Sequence, residues 1–417
     1  MEKELGDIKE KAKNCLNCKT KPCKMGCPLQ NNIPDFIQKI KDEEYKEALE
    51  KLSETTIFES ICGRICPHKS QCEGSCIRGI KGESVHIGEL EAFVGDYALE
   101  NMELPIINAK DNSKKIAIIG SGPAGIASAY YLSIRGYKVT IYEKHPKLGG
   151  LLRYGIPEFR LSKEILDNWL EKIILNENIE IITNTEIGKE ITLEELKEKY
   201  DAIILAFGAN VSNKMNIPGE DLDFVLGGNE LLEYRKMPNF KDKKVAVIGG
   251  GNVAMDTSRT IKKLGAKDVY VIYRRAEEQM PSEKKEIEAA KQEGIEFIFQ
   301  TNLLKIFDNK KIECIKTELI QIPGETRKSP VNIEGSNYLM DMDYVIMAVG
   351  SHPNKEVVSK LKLETTKWGY LKVNEDYKTS DEKIYAIGDL IGTKQTVAWA
   401  ARSGFECAKR IIECDKL

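Results

Sequence analysis

The sequence predicts an α/β protein with two Rossmann-like, doubly wound dinucleotide lobes preceded by a helical, metal-binding domain. Two observations carry this. A strand–glycine turn–helix–strand pattern occurs twice, with turns at Gly120 and Gly249, and eight of the 11 cysteines fall between Cys15 and Cys76. The length of 417 residues suits roughly two to three domains of ~150 residues. Hydrophobic residues make up 41% and charged residues 30%, enough for full cores and against wholesale disorder. The 62 basic and 65 acidic residues leave a net charge of −3, which gives no reason to expect nucleic acid. The charged start MEKELGDIKE and the lack of a long apolar run point to a cytoplasmic chain with no membrane segment. Thiols there stay reduced, so crowded cysteines read as metal ligands and not as a disulfide framework.

Residues 1–112 hold those cysteines, almost no strand-like run, and helices expected at about 35–52 and 86–101. Phe36, Ile37, Ile40, Ala48, Leu49 and Leu52 share one face of the first. A polar link, Asn108–Ser113, then leads to a first dinucleotide domain over 113–235. A second is expected over 236–350, and residues 351–417 return to complete the first.

In the first pattern the strand Ile116–Ile119 runs into Gly120-Ser121-Gly122-Pro123-Ala124-Gly125. Gly120 permits the tight turn, Gly122 lets a pyrophosphate approach, and Gly125 lets helix and strand pack closely. The helix N-terminus offers free N–H groups to the phosphates. Glu143, ending the next strand, is placed to accept from ribose hydroxyls. The second pattern reads Gly249-Gly250-Gly251-Asn252-Val253-Ala254, and where the first has Glu143 it has Arg274 and Arg275 after Tyr273. A carboxylate there repels a 2′-phosphate and guanidiniums bind it, so the charge selects NADPH. An arginine pair that merely sits in solvent is the alternative.

Two nucleotide sites of unlike chemistry suggest a flavin that stays and a nicotinamide that visits. Gly149-Gly150-Leu151-Leu152-Arg153-Tyr154-Gly155-Ile156-Pro157 resembles the segment beside FAD in flavoprotein reductases with two glutathione-reductase-type dinucleotide domains. Ile384–Asp389 resembles their second flavin motif, in which Gly388 and Asp389 would meet the ribityl chain. Thr396 and Val397 open a stretch similar to the helix facing the flavin pyrimidine, where its dipole would favour the reduced anion. The strands ending at Gly208 and Gly350 match the crossings between lobes, except that Phe207 replaces the usual threonine. Met280-Pro281-Ser282-Glu283 resembles a segment bordering the nicotinamide; a plain loop is the alternative.

The cysteines are spaced Cys15-x2-Cys18-x4-Cys23-x3-Cys27-Pro28 and Cys62-x3-Cys66-Pro67-x4-Cys72-x3-Cys76. Thiolates suit zinc or iron–sulfur. Paired zinc knuckles would need more than one Cys-x2-Cys, whereas a group ending in Cys-Pro is a ferredoxin habit. With the flavin motifs, this segment resembles the glutamate synthase small (beta) subunit. It is also similar to dihydropyrimidine dehydrogenase and to the large subunit of NADH-dependent ferredoxin:NADP oxidoreductase. The resemblance implies FAD, NADPH and two [4Fe–4S] clusters. It assigns Cys15, Cys18, Cys23 and Cys76 to one cluster, and Cys27, Cys66, Cys72 and Glu91 to the other. Cys62 would then lack iron; as an eighth thiol it stays the rival of Glu91.

The implied function is a NADPH-dependent oxidoreductase subunit that relays electrons to a larger redox subunit, such as that of glutamate synthase. A ferredoxin:NADP(H) oxidoreductase, with or without bifurcation, is the second reading. A scaffold with relict sites, the third, predicts damaged motifs, yet every fingerprint glycine is intact.

Overall fold

A computed structural model describes residues 2–101, 112–234, 237–324 and 327–414. The expected polar link lies outside them, apart from Asn112 and Ser113. The chain forms two compact units, one of Met1–Arg153, Glu158–Gly208 and Lys355–Leu417, the other of Tyr154–Pro157 and Ala209–Asn354.

The first unit begins with helices and, up to Asn101, contains no strand among the described residues. The helix expected over 35–52 is in fact two, Ile33–Lys41 and Tyr45–Ser53. Between them Glu43 takes the left-handed φ of 63°, which an α-helix cannot continue through. The apolar period hides this break because Asp42, Glu43 and Glu44 are all polar. Both halves still bury their residues in one core with Leu90 and Val94. The helix expected at 86–101 spans Ile87–Asn101.

That helix crosses Glu59–Ile65 at very short range. A Cβ on Gly63 would lie 2.4 Å from the Ala92 nitrogen, and one on Gly95 would lie 2.3 Å from that of Ser60. Only hydrogen fits at these two points, and the backbones can therefore close up.

The unit continues as a five-stranded parallel sheet in the order Ile384–Ala386, Ala202–Leu205, Lys115–Ile119, Lys138–Tyr142, Ile179–Ile182. Its central strands are almost continuous Ile, Val, Leu and Ala, as sheets covered on both faces require. The helices Pro123–Ser133 and Val397–Cys414 pack together, with the Ser128 hydroxyl donating to the Gly404 carbonyl at 3.0 Å. Side chains of three later residues hold backbone carbonyls of the helical segment. Trp169 Nε1 donates to the Ile57 carbonyl, Lys172 Nζ to Ala98 and Leu99, and Arg402 Nη1 to Pro28 at 2.9 Å.

The second unit holds a parallel sheet in the order Val225–Gly227, Tyr344–Met347, Lys244–Ile248, Asp268–Ile272, Glu296–Ile298. Its main stretch runs from Ala209, before the expected position 236. The reason is pairing: Val211–Ser212 joins Ser351–His352, and Val225–Gly227 forms the sheet edge. A four-stranded antiparallel sheet built on Lys311–Ile320 was not expected.

Candidate functional site

The first fingerprint leads directly from the strand Lys115–Ile119 into the helix Pro123–Ser133, whose N-cap Gly122 supplies no side-chain hydrogen bond. The first N–H groups are thus left for a ligand. A Cβ on Gly122 would meet nothing within 4 Å, whereas one on Gly125 would lie 2.0 Å from the Gly120 carbonyl oxygen. One glycine keeps a face open and the other lets the helix sit on the turn. Pro123 and Ala124 are buried at the start of the helix.

Glu143 is buried; its Oε2 accepts from the Ser121 N–H at 3.1 Å and hydroxyl at 2.5 Å, and its Oε1 from the His145 N–H at 2.9 Å. The carboxylate is therefore held in place and retains lone pairs for a ribose. Asp389 Oδ1 is buried without a partner, and burial pushes its carboxyl up to about 7. A buried orphan oxygen fits a hydroxylated FAD chain. Gly388 brings this motif in, since a Cβ there would lie 3.0 Å from the Ala124 side chain.

Thr396 caps the helix Val397–Cys414, its hydroxyl accepting from the Trp399 N–H at 3.3 Å. A Cβ on Gly150 would lie 2.7 Å from the Gly122 Cα, which sets the Gly149–Arg153 stretch against the fingerprint at that end. Leu151 is exposed, Gly155 half-buried and Ile156 buried. Arg153 is buried and donates to the Leu148 carbonyl and Asp167, clamping its own loop. Phe207 packs at the margin of the sheet core, beside Gly208 with its left-handed φ of 74°.

In the second unit Gly251 caps Asn252–Lys263, again without a side-chain bond. A Cβ on Gly249 would lie 2.2 Å from the Ala348 carbonyl oxygen, while Gly251 faces only Pro281 at 3.9 Å. Ala254 is fully buried, and Val253 packs against the same core. Ser282 N–H donates to the Gly250 carbonyl at 3.3 Å, so the Met280–Glu283 segment lies along the fingerprint. Asn252 Oδ1 accepts from the Glu283 N–H at 3.4 Å. Arg274 is exposed; Arg275 is half-buried, with Nε on the Lys328 carbonyl at 3.2 Å. Gly350 has a φ of 109° beside Asn213.

Cys15, Cys18, Cys23 and Cys76 line one cavity of about 360 Å³, including its open mouth. The wall between them is apolar: Ile33, Pro34, Ile37, Val85 and Ile87. Among the described residues, no three His, Cys, Asp or Glu side chains close around a single ion. The thiols stand around a space, which fits a cluster holding each ligand on its own iron. Burial pushes the Cys23 thiol up to about 11, a cost that a bound cation removes.

Cys27, Cys66, Cys72 and Glu91 form a second group within electrostatic reach of one another. Burial first, and then Glu91, push Cys27 up to about 12. Burial, with Cys66 and Glu59 adding to it, holds Glu91 well above the carboxylate range. Buried groups that would all be anions fit a cationic centre. Cys62 sits among them, its thiol held well above the ordinary range by the neighbouring Cys66 side chain first and then by burial.

Sequence reasoning missed Asn31 and Thr55. Buried Asn31 donates from Nδ2 to Glu91 Oε1 at 3.1 Å and accepts from the Thr55 hydroxyl at 2.8 Å. No spacing rule links three such residues. The signal available was polar side chains just outside an apolar helical stripe.

A family model for pyridine nucleotide-disulphide oxidoreductases matches residues 114–404. One for dihydropyrimidine dehydrogenase domain II, 4Fe–4S cluster, matches residues 2–103. The glutamate synthase [NADPH] small chain of Escherichia coli is 35% identical over 98% of this chain and 91% of its own length. The NADPH-Fe(3+) oxidoreductase subunit beta of Geobacter sulfurreducens is 37% identical over 84% of this chain, which spans only 54% of that relative. Mycobacterium tuberculosis FprA in complex with NADPH superposes with a TM-score of 0.64 at 18% identity, over 73% of this chain and 85% of that one, a likeness of fold. Among the described residues no helix is long and apolar enough to cross a membrane. The chain therefore belongs to the pyridine nucleotide-disulphide oxidoreductase family and, within it, to the NADPH-dependent FAD and iron–sulfur oxidoreductase subunits that include the glutamate synthase small chains.

Proposed function

We propose that this chain is the electron-input subunit of a larger redox assembly, with FAD in the first unit, NADPH on the Ala209–Asn354 unit and two [4Fe–4S] clusters within residues 1–112. The observation that carries the reading is the joining of both cysteine groups to the flavin motifs inside one compact unit. Arg402, on the helix that follows the second flavin motif, holds the Pro28 carbonyl next to Cys27 at 2.9 Å. When bound, FAD accepts a hydride and the clusters carry single electrons. One NADPH therefore yields NADP⁺ and two electrons for one-electron acceptors.

The residues position and tune rather than react. Gly122 and the free helix N-terminus receive a pyrophosphate, Glu143 the ribose, and Asp389 the ribityl hydroxyls. Arg274 and Arg275 receive the 2′-phosphate. Cys15, Cys18, Cys23 and Cys76 are assigned to one cluster, and Cys27, Cys66, Cys72 and Glu91 to the other, with Asn31 orienting Glu91.

The glutamate synthase large subunit is the favoured acceptor, because the small-chain relative matches nearly end to end. A ferredoxin or another redox subunit is the second reading, favoured by relatives such as the Moorella thermoacetica NADP(+)-dependent formate dehydrogenase subunit beta, 34% identical. Eleven unpaired thiols support a reducing, cytoplasmic setting. Anaerobic purification tests the relay. A brown protein that oxidises one NADPH per two ferricyanides supports it; a yellow protein without iron contradicts it.

A further inference from the structure

The antiparallel sheet around Lys311–Ile320 lies outside the dinucleotide pattern, yet it is bonded to the stretch that ends that pattern. Thr301 N–H donates to the Tyr273 carbonyl and Gln300 N–H to that of Arg275, both at 3.1 Å. The Thr317 hydroxyl donates to the Arg274 carbonyl at 2.9 Å. The turn joining Lys311–Ile320 to Ser329–Asn332 then reaches the same stretch through side chains. Arg275 Nε donates to the Lys328 carbonyl at 3.2 Å, and Arg327 Nη2 donates to the Gln279 carbonyl. That carbonyl also accepts from the Tyr273 hydroxyl at 2.9 Å, so the Arg327 guanidinium stands at the tip of the Tyr273 ring. The side of the ring lies against Gly250 of the fingerprint, where an added Cβ would come within 2.7 Å of it.

The two stretches so joined carry Arg274, Arg275, Arg327 and Lys328, and none of these enters an ion pair among the described residues. The acids nearby do not neutralise them. Glu277 pairs with Lys291 at 2.6 Å, and Glu283 is buried beside Asn252. Glu318 follows Thr317 on its strand and so points to the opposite face of the sheet. That leaves Glu278, exposed and in no ion pair among the described residues; Glu325 lies outside them. Arg275 is bonded at the residue next to Arg327 in the chain. Like charges so placed repel, and an anion between them turns that cost into binding. Gln279 adds a second sign of a ligand. Its Oε1 is buried with no hydrogen-bond partner, an acceptor that a nucleotide hydroxyl or amine would satisfy.

We infer that Arg327 is a third contact for the nucleotide 2′-phosphate, brought in by the turn of the antiparallel sheet. That sheet is then part of the device that selects NADPH. The Arg327 fork has N–H groups beyond the one spent on Gln279, as bidentate phosphate recognition requires. A free 2′-hydroxyl offers no charge to it, so the contact favours NADPH over NADH. Arg327 lies far along the chain from Arg274 and Arg275, outside both glycine patterns. The inference rests on the arginine-pair reading above and adds to it one residue and the element that carries it.

The test is calorimetric titration of the anaerobically purified full chain with 2′,5′-ADP and with 5′-AMP, half-nucleotides that differ by the 2′-phosphate. The wild type is expected to bind 2′,5′-ADP about tenfold or more tightly than 5′-AMP. Arg327→Ala should raise the Kd for 2′,5′-ADP roughly threefold to tenfold and leave that for 5′-AMP unchanged. With ferricyanide as acceptor, KM for NADPH should rise by a similar factor, while kcat and KM for NADH stay as they were. Arg327→Lys keeps the charge without the fork and should fall between wild type and Arg327→Ala. Flavin content and circular dichroism stay at the wild-type level, because Arg327 is exposed. An unchanged Kd for 2′,5′-ADP in Arg327→Ala overturns the inference. So does an equal loss for 5′-AMP and NADH, which would make Arg327 a brace between the turn and Gln279. Arg274→Ala with Arg275→Ala, measured alongside, separates the two readings. If that double variant loses phosphate selectivity and Arg327→Ala keeps it, the inference falls and the arginine pair stands. A wild type that binds both half-nucleotides equally sinks both.

Discussion

At Gly122 an added Cβ meets no heavy atom of the protein within 4 Å, and the backbone φ of −69° suits any residue. Gly122→Val is therefore expected to fold normally and fill only the space left for the pyrophosphate. Its flavin-to-protein ratio should fall close to zero with an unchanged circular dichroism spectrum; full flavin content would refute the site. Asp389 gives a pH-dependent prediction. Without FAD, burial holds its carboxyl at about 7, above the ordinary value near ~4. The folded state then binds the proton more tightly than the unfolded one, so this stability is present in acid and is lost as pH rises from about 4 through about 7. Glu59, pushed up to about 8 by burial, acts in the same direction. The flavin-free chain should melt lower at about pH 8 than at about pH 5.5, and Asp389→Asn should shrink that difference. Glu91→Ala should shift or lose one cluster signal in EPR and leave the other intact. Asn31→Leu should perturb the same signal more mildly, because it removes the donor to Glu91 and not the ligand. If Cys62→Ala loses a cluster while Glu91→Ala loses none, Cys62 is the ligand. The residues legible in the sequence were those that sit in a fixed local pattern, such as glycines in a turn or cysteines at short spacings. Asn31 escaped because it acts across sixty positions, through tertiary contact alone.

Among the elements, the close pair Glu59–Ile65 and Ile87–Asn101 brings the second cysteine group together. Gly95→Val would place side-chain atoms where the Ser60 backbone lies, forcing the helices apart at a cost of roughly 1–3 kcal/mol. The denaturation midpoint should fall, and the iron of the second group should go first. In the other unit, Arg274→Ala with Arg275→Ala should raise KM for NADPH about tenfold to a hundredfold and leave KM for NADH nearly unchanged. A wild type that already prefers NADH would overturn the reading of the pair. Both parallel sheets could be read from sequence, because a strand, a glycine turn and a helix leave local marks in the text. The break at Glu43 could not, since the buried face keeps its period across it. The antiparallel sheet around Lys311–Ile320 was missed for a related reason. Its burial alternates only irregularly, with Cys314 and Ile315 both buried in succession, which blurs the period of two.

For the molecule as a whole, the claim is one path, from a nicotinamide lobe to a flavin lobe to two clusters in a helical segment. That segment is part of the flavin unit, fastened by Trp169, Lys172 and Arg402 to backbone carbonyls of the helical part. Sequence motifs name the cofactors but do not show this fastening, because each bond joins a side chain to a distant carbonyl that could belong to any residue. The most direct measurement is an anaerobic reductive titration of the purified chain, followed by absorbance and EPR, with iron and flavin assayed on the same sample. The account predicts roughly eight irons per FAD, two distinct reduced-cluster signals, and an uptake of about four electrons, two by flavin and one by each cluster. A chain that takes up two electrons, bleaches only its flavin and shows no cluster signal would contradict it.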